Sequence, residues 1–260
     1  MAKVYNGRVR CAFSREAASK NLFGGIRVGQ KSNADYKEGG GMFVPNSRFN
    51  EWSVKANTGF TNDFGTYKLF YDYNDQKLGL VEDEAIESIT ERGRKNSMWY
   101  QALNTHLLSS QNKLFLDKFK LDLNLSFQNT ELTHFGEPHT YEIQMNLATT
   151  NYEAKLHLPS QSNSEYTIGI HGFNQKNKNL NNRKTNLLPD ASTDNYAIFG
   201  LVQHTYWEKL KIQSGLRYDN KNISTVAIGT PEKEESFCPK LEKSYKSLSG
   251  SLGATFLLSE

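Results

Sequence analysis

The sequence predicts an all-β fold: an antiparallel up-and-down transmembrane β-barrel, present as a partial barrel of about eleven strands. Eleven segments alternate apolar and polar residues, the period of a strand with one apolar and one polar face. Short turns and long polar loops join them in alternation, as in outer-membrane barrels. No run reaches the roughly 20 apolar residues of a transmembrane helix. Residues 1–260 are predicted to be one barrel domain.

The predicted strands follow one another without a helix between them. The clearest is 119–127, in which Phe or Leu at every odd position alternates with a polar residue at every even position. Two segments are less regular: the apolar residues of 98–116 do not all share one face, and 195–207 is apolar on both faces for part of its length. In order, the strands are 8–14, 22–31, 52–60, 67–74, 98–116, 119–127, 148–158, 166–172, 195–207, 210–219 and 247–256.

The connections favour a membrane barrel. The turns are short and carry Gly, Asn, Asp or Ser, as hairpins require, whereas the intervening loops are long and polar. Short connections on one side and long ones on the other match periplasmic turns and extracellular loops. The predicted turns are 17–21, 61–65, 117–118, 160–164 and 208–209, and the predicted loops are 32–47, 75–97, 132–142, 175–194 and 220–244.

Aromatic residues fall at two heights of the predicted barrel, as expected at the two levels of lipid head groups. Ordinary enrichment of aromatic residues in strands explains the same pattern. A soluble β-sandwich, such as a carbohydrate-binding module, is disfavoured because outward rows of Leu, Phe and Tyr would form a large exposed apolar patch. Phe60, Tyr67, Phe119, Tyr166 and Trp207 lie beside short turns, and Tyr36, Tyr73, Tyr100 and Tyr218 lie toward long loops.

Composition narrows the function classes. The chain has 31 Lys and Arg against 28 Asp and Glu, and because these charges are scattered, no nucleic-acid binding is predicted. A hydrophobic content of 37% is compatible with a barrel, since only every second strand residue faces lipid. Cys11 is predicted to be a strand residue and Cys238 a loop thiol. Without a secretory leader, and with strand pattern at both ends, the chain is expected to be a piece of a larger protein.

Several segments resemble the barrel domain of TonB-dependent outer-membrane receptors. The most diagnostic is Gly215-Leu216-Arg217-Tyr218-Asp219, which is similar to the family's G-x-R-Y-D strand that rises into an extracellular loop. The resemblance covers essentially the whole chain, and the order and spacing of its short motifs carry it. The other segments are Ser47-Arg48-Phe49-Asn50-Glu51, Phe70-Tyr71-Asp72-Tyr73, Phe199-Gly200-Leu201, Lys209 to Ser214 and Ser249 to Thr255.

The resemblance implies a barrel of about 22 strands with an N-terminal plug. Such receptors import nutrients such as ferric siderophores, haem or cobalamin, using energy relayed by TonB. This chain matches about the first half of the barrel, without plug, TonB box or closing strands. The implied partners are membrane lipids, a small-molecule nutrient and TonB acting through the missing plug, in the outer membrane of a Gram-negative bacterium. No cofactor is implied.

An open sheet leaves two unpaired edges, and each unsatisfied backbone group in hydrocarbon costs several kcal/mol. The chain alone is therefore expected not to transport. A passive outer-membrane porin or a surface adhesin is the alternative to an energised importer. Either would be a complete, smaller barrel without energy coupling. The transported ligand cannot be predicted, because specificity lies in loop conformations and in the missing plug and strands.

No catalytic constellation or metal-ligand spacing is present, so no enzyme activity, catalytic residue or metal site is predicted. The ligand-binding candidates are His134 and His139 in a predicted extracellular loop, because a histidine pair near a carboxylate can bind a metal or haem iron. Solvated loop histidines are the preferred interpretation, since the spacing matches no ligand motif. Acidic and basic residues within 82–95 predict a short exposed helix, with cation binding as the alternative. The Asn-rich segment 177–186 fits either a polar-ligand site or an ordinary surface loop.

The predicted inner wall has a basic bias. Charge pairing with a plug is the preferred explanation, and attraction of anionic chelates is the alternative. The wall cations are Arg10, Arg27, Lys55, Lys68, Lys120, Lys155, Lys211 and Arg217, and the carboxylates are Asp72, Asp122, Glu153 and Asp219.

Overall fold

The computed structural model describes residues 3–5, 8–138, 140–161, 163–180, 182–229 and 237–258. Within these ranges twelve β-strands form one antiparallel sheet in sequence order, with one short helix, so the all-β up-and-down prediction is confirmed. β1 has three residues, and the eleven long strands match the number predicted. The elements are β1 (Lys3–Tyr5), β2 (Arg8–Ala18), β3 (Leu22–Asn33), β4 (Phe49–Asn62), β5 (Gly65–Gly79), α1 (Asp83–Ser88), β6 (Tyr100–Leu116), β7 (Phe119–Phe135), β8 (Tyr141–His157), β9 (Ser164–Asn179), β10 (Ala191–Tyr206), β11 (Leu210–Thr225) and β12 (Leu241–Phe256).

The strand register gathers apolar side chains on one face, called here the outward face; the opposite face is the inner face. Because side chains alternate along a strand, residues paired across strands lie on the same face. Leu125, Ile198 and Leu248 on the outward face are 55%, 58% and 68% exposed. An apolar surface of this extent is stable against hydrocarbon or another apolar surface rather than against water. One outward row runs through Tyr67, Asn112, Leu123, Ala154, Ile170, Ile198, Tyr218 and Leu248.

The strands continue beyond their apolar stretch at the long-loop end. In β7 the outward residues are apolar from Phe119 to Phe127, about 30 Å of strand, which suits an apolar band about 25 Å tall crossed at a tilt of about 40°. The next outward residues are Asn129, Glu131 and Thr133, which are polar. In β7 the outward face is therefore polar from Asn129 to Thr133.

This extension corrects the predicted loop lengths. The short turns lie where they were predicted, but the loop predicted at 132–142 is wrong, because β7 continues to residue 135 and β8 begins at 141. A strand segment that is exposed to water on both faces needs no apolar face. Its sequence is therefore polar like that of a loop, although its backbone hydrogen bonds remain paired. The connections at the long-loop end are residues 34–48, 80–99, 136–140, 180–190 and 226–240, of which 136–140 is itself short.

The two irregular segments are strands whose inner face carries apolar residues. In β6, Leu108 lies on the outward face, whereas Leu103 and Leu107 lie on the inner face. In β10, Phe199 lies on the inner face, and Trp207 lies beyond the strand in the turn to β11, with φ of 50°. A wall that is not uniformly polar inside explains why alternation is weak in these two sequences.

The sheet has open edges in the described residues. β12 pairs only with β11 there, and all 16 of its residues are exposed. Cys11 lies in β2 and Cys238 in the loop before β12, as predicted, and both are free and exposed. The described part of the chain contains no helix long and apolar enough to cross a membrane.

Replacing Leu125 with Lys tests the orientation of the sheet. In the complete barrel, folded into lipid vesicles, we expect Leu125→Lys to lower the free energy of unfolding by about 2–4 kcal/mol, because it sets a charge in the middle of the apolar band. Gln111→Lys is the control, since Gln111 is exposed on the inner face next to Ser110, which pairs with Leu125. Urea unfolding followed by gel mobility measures both variants, and equal losses for the two would refute the assigned faces.

Candidate ligand-binding surface

The charged residues predicted for the inner wall share the inner face. The register sets Arg27 beside Lys55 and Lys55 beside Asp72. Each predicted carboxylate lies near a basic residue of the same face, so these carboxylates are locally neutralised. The ion pairs are Lys55 with Asp72 at 3.3 Å, Lys113 with Asp122 at 3.9 Å, Lys155 with Glu153 at 2.9 Å and Arg217 with Asp219 at 2.8 Å.

A basic hollow of about 800 Å³ lies on the inner face of β2 to β5. Its charged lining residues are Arg10, Arg27, Lys31, Lys55 and Glu51. Glu51 is the single acid in this set, and its carboxylate is paired with the Lys31 ammonium at 2.6 Å. Neither Arg10 nor Arg27 lies within 4 Å of a carboxylate in the described residues. The hollow therefore carries a local excess of positive charge.

A second concavity, of about 620 Å³, lies on the outward face. It is lined by apolar residues such as Leu156, Ile168 and Leu216, with little polar surface. Hydrocarbon chains fill such a groove on the outside of a membrane barrel, and it offers no polar group to orient a charged nutrient. The basic hollow is accordingly the better candidate for nutrient binding.

A buried ion pair fastens the two long loops nearest the hollow. Arg48 donates from Nε to Asp35 Oδ1 at 3.1 Å and from Nη2 to Asp35 Oδ2 at 2.7 Å, and the two side chains are 8% and 0% exposed. Arg48 Nη1 also donates to the carbonyl of Lys95, and the Gly93 amide donates to Asp35 Oδ2 at 2.8 Å. Loops 34–48 and 80–99 are thus joined through one fully hydrogen-bonded charge pair, which we call the loop clasp.

Asn46 closes the base of loop 80–99. Its Nδ2 donates to the carbonyls of Leu80 and Trp99, at 2.9 and 2.6 Å, so it bridges the two ends of the loop. Asn46 is fully buried and has φ of 59°, a left-handed conformation that Asn tolerates better than most residues. Gly79 lies against the Asn46 carbonyl so closely that a Cβ there would collide with it. Local backbone geometry thereby supports the clasp.

Loop 180–190 folds back onto the start of β8. A register shift after His134 leaves Glu142 as an extra residue in β8, a β-bulge. The bulged Glu142 accepts a hydrogen bond from Lys184 Nζ at 2.8 Å, and its carbonyl accepts from the Thr185 amide. This contact raises the pKa of the Lys184 ammonium. The bulge therefore serves as the attachment point of a second ordered loop.

The predicted histidine pair is only partly described. His134 lies in β7 on the inner face, opposite Ile143, so its placement in a loop is wrong, and its buried Nε2 has no hydrogen-bond partner in the described residues. His139 lies outside the described residues. Ligand binding by the pair stays a prediction. Within the described ranges no group of three or more His, Cys, Asp or Glu side chains is arranged to hold a metal ion.

The other predicted loop features are built into the fold. The exposed helix is present as α1, but the basic residues after it do not form helical pairs. Arg92 Nε donates to the Asp35 carbonyl, and Arg94 Nη1 donates to the Ser32 carbonyl. In the Asn-rich segment, the Asn177 and Asn179 amides donate to carbonyls of loop 180–190. These donors hold the loops in place.

Sequence reasoning missed Asp35, Asn46 and the role of Arg48. Arg48 belongs to one of the family-like segments, which was the available signal, but its partner lies 13 residues away and two further partners lie in another loop. Such a set is visible only once the strands have brought the loops together.

The family model described as TonB dependent receptor-like, beta-barrel, matches residues 15–260. The chain therefore belongs to the TonB-dependent receptor β-barrel family, which confirms the resemblance found in the sequence. Known members of the family are transport receptors of the Gram-negative outer membrane. No curated protein sequence matches the chain significantly.

Solved structures of this family resemble the chain. The FrpB iron transporter of Neisseria meningitidis matches with a TM-score of 0.74 and 14% identity, over 98% of this chain and 43% of that one. The ferric-catecholate import receptor Fiu of E. coli K12 matches with a TM-score of 0.69 and 11% identity, over 97% of this chain and 51% of that one. The copper transporter OprC matches with a TM-score of 0.70 and 14% identity, over 98% of this chain and 41% of that one. At these identities the likeness shows the fold, and the chain spans 41–51% of these three proteins.

Replacing Asp35 with Ala tests the loop clasp. It leaves the Arg48 guanidinium buried without its partner, a change that costs about 3–5 kcal/mol. We expect loop 80–99 to open and trypsin to cut faster after Arg92, Arg94 or Lys95. Glu38→Ala, which removes an exposed carboxylate from the same loop as Asp35, should leave the rate unchanged. Equal cleavage of Asp35→Ala and wild type would contradict a stabilising role for the clasp.

Proposed function

We propose that this chain is part of the barrel wall of an outer-membrane receptor that imports a small anionic metal chelate with energy relayed by TonB. Membership of the receptor family supports transport over catalysis, and the excess positive charge of the basic hollow is the observation that carries the choice of cargo. Related structures carry the names of iron, ferric-catecholate and copper transporters. Ferric siderophores fit this class, and haem and cobalamin remain candidates.

The position of the basic hollow favours a ligand over a plug as its partner. Lys31 and Glu51 at its upper end lie at the long-loop end of β3 and β4, next to the loop clasp, where a nutrient enters from outside. The neutral pairs of β6 to β11 lie elsewhere on the wall and suit contact with a plug domain. Fixed cations around a concave, partly enclosed surface attract and concentrate anions, and this attraction weakens as salt rises.

The proposed partners follow from the two faces of the sheet. Lipid chains would contact the outward apolar rows, and the nutrient and a plug domain would occupy the inner side. TonB would act through that plug, as in the receptors that the chain resembles. The described sheet is open, so we propose that the chain transports only within a closed barrel.

Replacing Arg10 and Arg27 together with Gln tests the proposed cargo. In cells that express the complete receptor, we expect TonB-dependent accumulation of labelled anionic ferric chelates. The double variant should bind such a chelate about tenfold more weakly and show a weaker salt dependence, since two cations are lost. Lys120→Gln is the control, because Lys120 is an exposed inner-face cation outside the hollow.

Two results would contradict the proposal. Accumulation that persists without TonB would indicate a passive porin. If the Arg10 and Arg27 double variant binds the chelate as tightly as wild type does, the positive charge of the hollow would serve to pair with the plug rather than to bind the chelate.

A further inference from the structure

A second basic concavity lies on the outward side of the sheet. It measures about 400 Å³ and is formed by the long-loop ends of β4 and β5 together with loop 80–99. We call it the outward cleft. Four of its strand residues, Asn50, Trp52, Asp75 and Lys77, belong to the outward rows, and it shares only Glu51 with the basic hollow. Its lining residues from the loop are Arg94, Lys95 and Asn96.

The outward cleft begins where the apolar band ends. Toward the long-loop end of β4, the outward-face residues Ala56 and Val54 are followed by Trp52 and then Asn50. On the same face of β5, Tyr73 is followed by Asp75 and Lys77. Trp52 is 49% exposed. An exposed Trp between an apolar row and a polar row is typical of the level of lipid head groups.

The charge of the outward cleft is positive on balance. Lys77, Arg94 and Lys95 are its cations. Neither Lys77 nor Lys95 lies within 4 Å of a carboxylate in the part of the chain that the structure describes. Asp75 is one lining acid, and the other, Glu51, is paired with Lys31 at 2.6 Å. An anion in the cleft would therefore meet more cations than acids.

The backbone that carries the loop cations is held in place before any ligand binds. Asn50 Nδ2 donates at 2.7 Å both to the Arg94 carbonyl and to Asn96 Oδ1, which ties the loop to β4. Arg94 Nη1 donates to the Ser32 carbonyl at 2.8 Å. The loop clasp anchors the same segment through the Lys95 carbonyl. Because the loop backbone is already fixed, binding an anion would order only the lysine side chains, whose ammonium groups favour a compact anion such as a phosphate group.

We propose that the outward cleft binds the phosphate group of an outer-leaflet lipid head group. This inference rests on the proposed membrane location. A nutrient inside the barrel would not reach this face, whereas the head groups of neighbouring lipids lie at the level of Trp52. Basic side chains at that level attract phosphate-bearing lipids, and the indole of Trp52 would contact the boundary between head group and acyl chain.

Lipid titration of the complete purified receptor tests this assignment. The probe is an acylated glucosamine disaccharide that carries phosphate groups, compared with the same lipid after phosphate removal, and native mass spectrometry counts the bound lipids. We expect about tenfold weaker binding for the dephosphorylated lipid, and a similar loss for the double variant Lys77→Gln and Lys95→Gln. Lys176→Gln and Lys178→Gln, which remove exposed outward lysines of β9, are the controls and should bind like wild type.

Three outcomes would overturn the proposal. One is equal binding of the two lipids, and another is unchanged binding by the Lys77 and Lys95 double variant. The third is full competition by inorganic phosphate, which would assign the site to a free anion. Membrane fractionation and chelate uptake are measured in parallel to test the proposed function separately. A receptor that stays in the membrane and takes up the chelate but does not select the phosphorylated lipid would overturn only the lipid proposal.

Discussion

The pairing of backbone hydrogen bonds is the constraint on which the rest of this structure depends. In hydrocarbon an unpaired N–H or C=O costs several kcal/mol, so a strand that crosses a membrane needs a neighbour on both edges. β3 to β11 meet this condition, each paired with the strands before and after it. β12 has a neighbour on one side in the described residues, so a membrane-embedded form requires a further strand against it.

The paired sheet creates two surfaces with different chemistry, and the loops add to this difference. Loop 80–99 is fastened to side chains of the outward face, through Asn50 and Ser32, while the cations of the basic hollow lie on the inner face. The buried pair of Asp35 and Arg48 ties this loop to loop 34–48. A loop fastened in this way positions charge on the outward side without filling the hollow.

The sequence predicted what depends on local alternation and missed what depends on contacts between distant segments. Residues 119–127 identified the apolar part of β7, because period-two patterning directly records one lipid-facing and one wet face. The last part of β7, residues 132–135, falls in a predicted loop, since strands in water carry no such pattern. Asp35, Asn46 and Arg48 act only after β3, β4 and β5 bring their loops together. His134 shows the same limit, as its inner-face position follows from pairing with β8.

The central claim is that this sheet crosses a membrane with its apolar rows against lipid. In the complete receptor, reconstituted in lipid vesicles, spin labels are placed singly along β7 from Phe119 to Phe135. Their collision rates with oxygen, which concentrates in lipid, and with a water-soluble nickel chelate test the claim. The account predicts oxygen access at odd positions from 119 to 127, nickel access at even positions, and loss of preferential oxygen access beyond Phe127. Labels at odd positions that collide mainly with the nickel chelate along the whole strand would contradict it.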